Sequence, residues 1–256
     1  MGSLYFDDPL LVRTPQGMAP MPRAAALAEP LAQILDGIGS IVRPQQFDPA
    51  VLAAEFRIGM TDNSFFSIGL PFLEWMRTAA PRVKTAFFGL HREQMDEQLA
   101  KGMLDAAVIA HVAAPEQLRH TVLYRERFVC AMRQGHPLLE EDWDLDVFCR
   151  QDFVLGSFFG GSFSGAADYA LEAFGRRRNV AVSVQNFALI PPLLRQSDLL
   201  AVLPAKLAGH AEGLAVRELP FAVSGYSKLL VWHERSHADP VQKWLRTQLA
   251  QSAQAA

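Results

Sequence analysis

Two short segments carry the clearest chemistry in this sequence. Met60-Thr61-Asp62-Asn63-Ser64 and the run from Gly156 to Gly165 (GSFFGGSFSG) each follow a strand-like apolar stretch and precede a helix-like one. Hydroxyls and free backbone N–H groups at such a junction suit a carboxylate or another small anion, because the helix dipole and the unpaired donors act together. Ser, Asn and Gly are also the ordinary caps of such junctions, so a ligand role requires that both junctions face one cleft. Phe158, Phe159 and Phe187 beside them supply an apolar or aromatic-binding wall if they are not simply core. Asp62 is the awkward member, since its charge repels an anion, and its side chain is expected to turn away and cap the helix.

His233-Glu234-Arg235-Ser236-His237 spells H-E-x-x-H, which in a zinc hydrolase puts two histidines one helical turn apart with the glutamate as general base. Here the motif follows the strand-like YSKLLVW, a helix starts just after it at Asp239-Pro240, and only Asp239 remains downstream as a third ligand. The match reads as coincidence, and zinc hydrolysis through His233, Glu234 and His237 stays as the enzyme alternative. There is no G-x-G-x-x-G, no Walker loop and no G-x-S-x-G, Ser164 standing where the last glycine would be. The sequence therefore points to no enzyme, no cofactor and no metal. Arg176-Arg177-Arg178 follows a helix and reads as a solvated C-terminal cap. Cys130 and Cys149, both in apolar surroundings, read as buried inert thiols.

The elements that must position these junctions alternate from Phe56 onward. FRIGM is a strand, Ser64 to Ala80 a helix, VKTAFF a strand, Arg92 to Gly102 a helix and AAVIA a strand. Such alternation implies βαβ units and a parallel sheet whose carboxyl edge faces the ligand. TVLYRERFVCAM is one long strand that crosses out of this lobe. The logic then repeats with FVLGSF, AADYALEAFG, VAVSV, a helix around Pro191 to Gln196, LLAVLP, LAVREL and YSKLLVW, before a last helix from Asp239 to Gln251. The fold class is α/β, two Rossmann-like lobes joined by crossover strands around a cleft, as in periplasmic binding proteins of type 2. Ahead of them lie a hairpin or wing and a helix from Arg23 to Ile38, then a Gly/Pro-rich joint from Gly37 to Pro49. The helix carries Leu27, Leu31, Ile34, Leu35 and Ile38 at spacings of three and four, a stripe suited to pairing with a second subunit.

Composition narrows the classes. The chain has 256 residues, half of them hydrophobic and a fifth charged, with 24 Lys and Arg against 27 Asp and Glu. A net charge of -3 gives no global footprint for nucleic acid or an anionic membrane, so any polyanion contact has to be local. Neither a signal peptide nor a stretch of 18 apolar residues is present, which fits a cytoplasmic protein without a membrane partner.

The residues also resemble a known family. FDDPLLVRTPQGMAPMPRAAALAEPLAQIL is similar to the wing and linker helix of LysR-type transcriptional regulators. FRIGMTDN, LPFLEWMRTAAP, QLAKGMLDAAVIA, ERFVCAMRQGHPL, LLRQSDLLAVLP and VWHERSHADPVQKWLR resemble their effector-binding domain, in the right order. The ending is most like the nodulation and aromatic-catabolism branch. The resemblance implies a wing remnant over 1–22, a linker and dimerisation helix with its hinge over 23–49, and an effector-binding domain over 50–256. Within that domain it implies lobe one at about 54–130 and 228–256, and lobe two at about 131–227. It also implies a small anionic or aromatic effector between the lobes, held by Thr61, Asp62, Asn63, Ser64, Ser157, Phe158 and Phe187, with His91, His111 and His233 at the rim. Leu27, Leu31, Ile34 and Ile38 are the implied dimerisation residues of a homodimer or homotetramer. Because the recognition helix that enters the major groove precedes the wing in that family, promoter DNA is expected as a partner only of a full-length form. A solute-binding protein is the remaining alternative with the same fold.

Overall fold

In this computed structural model residues 10–15, 17–42, 48–110, 117–158 and 160–255 are described. His111, Phe159, the first nine residues of the expected wing and positions 43–47 of the expected joint lie outside them. The chain divides into two compact units, Met1–Gln46 and Phe47–Ala256.

In the first unit β1 (Leu11–Thr14) and β2 (Gly17–Pro20) form an antiparallel hairpin, Leu11 opposite Pro20. Gly17 closes it at a φ of +123°, a conformation that disfavours any Cβ. Helix α1 (Pro22–Val42) starts at Pro22, whose fixed φ suits a first helical turn. It runs through Gly37 and Gly39 to Val42, so the beginning of the expected joint is helix. A glycine weakens a helix by roughly 1 kcal/mol without breaking it. Leu31, Ile34, Leu35 and Ile38 are all more than half exposed on this unit.

The second unit holds two sheets. The elements of the first are β3 (Glu55–Gly59), α2 (Asp62–Ser64), a π-turn over Phe65–Gly69, α3 (Leu70–Ala79), β4 (Lys84–Phe88), α4 (Arg92–Lys101), β5 (Ala106–Ala110) and β6 (Arg119–Glu126). The π-turn was not foreseen: Leu70 N–H reaches back five residues to the Phe65 carbonyl. Its widened turn lies just before Pro71, a residue whose ring collides with the carbonyl of the preceding turn in an ordinary helix. Then come β7 (Phe128–Arg133), α5 (Leu145–Cys149), β8 (Asp152–Gly156), α6 (Ala166–Glu172), β9 (Asn179–Val184), α7 (Ile190–Arg195), β10 (Ala201–Pro204), α8 (Ala205–His210) and β11 (Leu214–Arg217). The chain returns through β12 (Tyr226–Trp232) and ends in α9 (Pro240–Ala255).

The first sheet has the order β4-β3-β5-β12-β6, with β3 parallel to both β4 and β5, and β12 antiparallel to β5 and β6. In the second, β10-β7-β11 are antiparallel neighbours and β8-β9 a parallel pair. A parallel bridge between Phe153 and Leu200 joins β8 to β10, so the order β9-β8-β10-β7-β11 repeats that of the first sheet. The single strand expected through Thr121–Met132 is two. Arg127 interrupts it, and β6 and β7 belong to different sheets.

Each sheet has apolar packing on its faces. Phe56, Ile58, Ile68 and Phe72 pack with Leu245 and Leu249 of α9, while Phe148, Phe153, Leu171 and Phe221 fill the second lobe. Cys130 lies in that second core, where burial pushes its thiol up to about 12. Arg178 corrects the reading of the arginine run as a solvated cap. Its side chain is buried, forks onto Asp168 through Nε and Nη2 at 2.9 and 2.8 Å, and lies 4.5 Å from the Phe153 ring centre. Arg176 does stay outside, paired with Asp146. Among the described residues no helix is long and apolar enough to cross a membrane.

Candidate functional site

The carboxyl edges of β3 and β5 face those of β8 and β10 across a cleft made of two chambers. An open chamber of about 990 Å³ is bounded by Asp62, Phe87, His91 and Glu93 on one lobe and by Gln185 and Asn186 on the other. A narrower cavity of about 340 Å³ lies between Asn63, Met95, Ile109 and Lys228 of the first lobe and Phe128, Leu155, Arg178 and Phe187 of the second. Thr61, Leu90 and Phe158 border both. The narrower space is of the size that holds a small organic molecule, with mostly apolar walls and few polar groups.

Thr61 caps α2, its Oγ1 accepting the Ser64 N–H at 3.2 Å, and it shares a 3.0 Å hydrogen bond with the Ser64 hydroxyl. Ser64 is fully buried beneath the cleft and accepts a 2.6 Å hydrogen bond from Lys228 Nζ. Lys228 is only 3 % exposed, and burial pushes its ammonium down to about 8 against the pull of Glu126 and Asp62. Burial conversely raises the carboxyl of Glu126, which ends β6 at the crossover. Glu126 faces Tyr226 of the other crossover, where a Cβ on Gly225 would sit 2.2 Å from the Glu126 carbonyl oxygen. Only glycine lets the two crossovers touch there.

The structure corrects the expectation for Asp62. Thr61 does the capping, while Asp62 accepts Asn63 N–H through Oδ1 and, through Oδ2, the backbone N–H of Ala188 on the second lobe, each at 2.9 Å. The carboxylate is thus a clasp between lobes. Ser157 is buried and its hydroxyl accepts Ser162 N–H within its own loop, so it lines neither chamber. Phe187 and Phe158 do line the narrower one, and Phe187 presses so close that a Cβ on Gly156 would lie 2.6 Å from its ring.

Of the rim histidines, His91 begins α4 and borders the open chamber. His233 does not reach the cleft. In antiparallel β12 Lys228 pairs with Ala110 at the carboxyl end of β5 and Val231 with Ala107 near its start, so His233 emerges at the opposite edge of the sheet. The H-E-x-x-H segment there is a 3-10 turn rather than a helix. His233 Nδ1 accepts Arg235 N–H, His237 Nδ1 accepts Trp232 Nε1–H while stacking on that ring, and Glu234 pairs with Arg119. Both histidines and the glutamate already have local partners.

Sequence reading missed Arg178, Lys228 and Tyr226 as wall residues. For Lys228 a signal existed: it is the lone cation inside the apolar strand YSKLLVW. Two of the buried polar atoms without a hydrogen-bond partner belong to residues of the narrower cavity, Asn63 Oδ1 and Arg178 Nη1.

Residues 50–254 match the model of the LysR substrate binding domain. The HTH-type transcriptional regulator SyrM 1 of Sinorhizobium fredii is 32% identical over 257 residues, covering 98% of this chain and 74% of that protein. The HTH-type transcriptional activator NahR of Pseudomonas putida is 28% identical over 244 residues, 94% of this chain and 81% of that one. Among solved structures, the regulatory domain of MexT, a transcriptional activator in Pseudomonas aeruginosa, has a TM-score of 0.69 at 28% identity, covering 79% of this chain and all of that one. The probable transcriptional regulator PA0477 from the same organism also gives 0.69, at 27% identity over 96% of this chain and 83% of the other.

Proposed function

The chain belongs to the LysR-type transcriptional regulators, and from that premise we propose that the narrower interlobe cavity is its effector site. The observation that carries this reading is the cavity itself, about 340 Å³ of mainly apolar wall contributed by both lobes and interrupted by Asn63, Lys228 and Arg178. Its ligand is a small anionic or aromatic molecule. Two cations among the lining residues favour an oxygen acceptor, and Phe128, Phe158 and Phe187 favour a ring. Ligand that touches both lobes prefers one closure over another, and shifting that population changes how subunits are arranged.

In the complete regulator this rearrangement alters engagement of promoter DNA, while the exposed Leu31, Ile34 and Ile38 stripe of α1 pairs subunits. The domain binds without turnover. A thermal-shift screen of small aromatic and aliphatic acids, followed by methyl NMR of Ile109, Leu155 and Val202, tests the site. Shifts at these three methyl groups are expected. A ligand that stabilises the chain while leaving all three unmoved would place the site elsewhere.

A further inference from the structure

Lys228 sits where any movement of the lobes changes its surroundings. Side chains alternate between the faces of a strand pair, and Tyr226 lies opposite Glu126 while Lys228 lies opposite Tyr124. These four side chains therefore share one face of the β6–β12 ribbon, the two strands by which the chain passes between the lobes. From the first lobe, Ser64 accepts the Lys228 ammonium at 2.6 Å and Asp62 adds a negative field. From the second, the Lys206 ammonium at the start of α8 lies 4.9 Å from the Tyr124 ring centre, and the Phe128 ring lies 5.6 Å from that of Tyr226. Lys228 also shares the wall of the interlobe cavity with Val202 and Pro204 of the second lobe, yet is almost wholly buried. In this arrangement the lobes are joined by the hydrogen bond between Asp62 and Ala188.

We propose that Lys228 is a proton-operated brake on lobe closure: closing the lobes takes its ammonium out of water, and release of that proton favours the closed arrangement. The brake acts without any effector, resting only on the interlobe movement proposed above. Burial lowers the ammonium to about 8, with Glu126 and Asp62 holding it up. Parting the lobes admits water and returns it towards its ordinary 10.5, so the closed form binds this proton less tightly and gains as pH rises. With these two values the closed-to-open ratio rises about tenfold between about pH 7 and 9. Tyr124 and Tyr226 are both pushed upward by burial, out of that range, and the charge of Arg178 in the same cavity wall is balanced by Asp168. Glu126 supplies the charge on the ribbon that resists release of the proton.

Spin labels on Gln94→Cys and Asn186→Cys, which border the open chamber from the two lobes, read closure in the full chain by pulsed electron paramagnetic resonance. Cys149→Ser removes the half-buried thiol from that background. In the wild-type hinge the shorter distance should gain about tenfold over the longer between about pH 7 and 9. Lys228→Met, and Lys228→Gln as a second uncharged variant, should show no such rise. Glu126→Gln removes the charge that retains the proton, so its rise should begin at lower pH, an onset that a merely structural role would leave in place. The brake is refuted by a wild-type distance that stays constant from about pH 6 to 9.5, by a rise kept in both Lys228 variants, or by an unmoved onset in Glu126→Gln. Asp62→Ala, which lacks the interlobe hydrogen bond, separates the two ideas. If it widens the distance while pH has no effect, the movement stands without the brake. A distance fixed in every variant and at every pH refutes the movement as well.

Discussion

Replacing Lys228 by Met should make the protein more stable and remove a pH dependence. The ammonium is almost wholly buried, touches Ser64 Oγ at 2.6 Å, and burial lowers it from 10.5 to about 8 despite the fields of Glu126 and Asp62. At about 1.36 kcal/mol for each decade of proton affinity, holding the proton inside costs folding about 3 kcal/mol at neutral pH. The unfolded chain keeps this proton up to about 10.5 whereas the folded chain sheds it near 8, so the penalty is complete below about 8 and is relieved as pH rises from there. Between roughly pH 7 and 9.5 the wild type should gain about 2 kcal/mol from this group, and Lys228→Met should show no such gain. At pH 7 the variant should be more stable by about 1–2 kcal/mol, the rest being offset by the lost hydrogen bond to Ser64. Urea unfolding of both proteins at several pH values measures the difference, in which the titrations they share cancel. A variant less stable than wild type at pH 7, or one that keeps the alkaline rise, would refute the reasoning.

Asp62→Ala removes the acceptor for Ala188 N–H and should weaken lobe closure by about 1 kcal/mol, read as faster hydrogen exchange of the Ala188 amide; unchanged protection would mean that the clasp contributes nothing. Arg178→Met strands the Asp168 carboxylate and should cost about 3–5 kcal/mol in urea unfolding, with most of it recovered in the double variant that adds Asp168→Leu. A single variant as stable as wild type would argue against the buried pair. Gly225→Ala forces a methyl group against the Glu126 carbonyl and should destabilise by more than about 2 kcal/mol, whereas an unchanged urea midpoint would show that the crossovers separate easily. Leu31→Asp should convert a sedimenting dimer into monomer, and a wild-type chain already monomeric at high concentration would contradict the role given to α1.

Much of the architecture was legible because it rests on local pattern. Apolar strands such as AAVIA and capped helices such as the one after Asp239-Pro240 declare themselves within a few residues, and Gln242 N–H does bond Asp239 Oδ1. The junction after β3 was legible for the same reason. What sequence could not show was pairing at a distance. Nothing within the run Arg176-Arg177-Arg178 says that its third member turns inward to Asp168 while the first stays in water. Similarly, the partner of Asp62 lies 126 positions away on the other lobe, so capping by Asp62 itself looked sufficient. His233 was misplaced because its edge of the sheet depends on β12 running antiparallel to β5, a direction set by the crossover and not by composition. The interruption at Arg127 was hidden by an unbroken strand-like pattern, since the lobes exchange the chain without a turn signal.

That exchange fixes an order of assembly during synthesis. The second sheet is encoded in one stretch, from β7 to β11, and every strand it needs has been translated once Arg217 has emerged. The first sheet begins earlier yet stays incomplete, because β12 must be inserted between β5 and β6, and α9 must then cover Phe56, Ile58 and Phe72. Until then β5 presents an open strand edge and the nascent lobe shows bare apolar surface, the features that invite aggregation. The lobe whose strands are made first is thus the last to have all of them available.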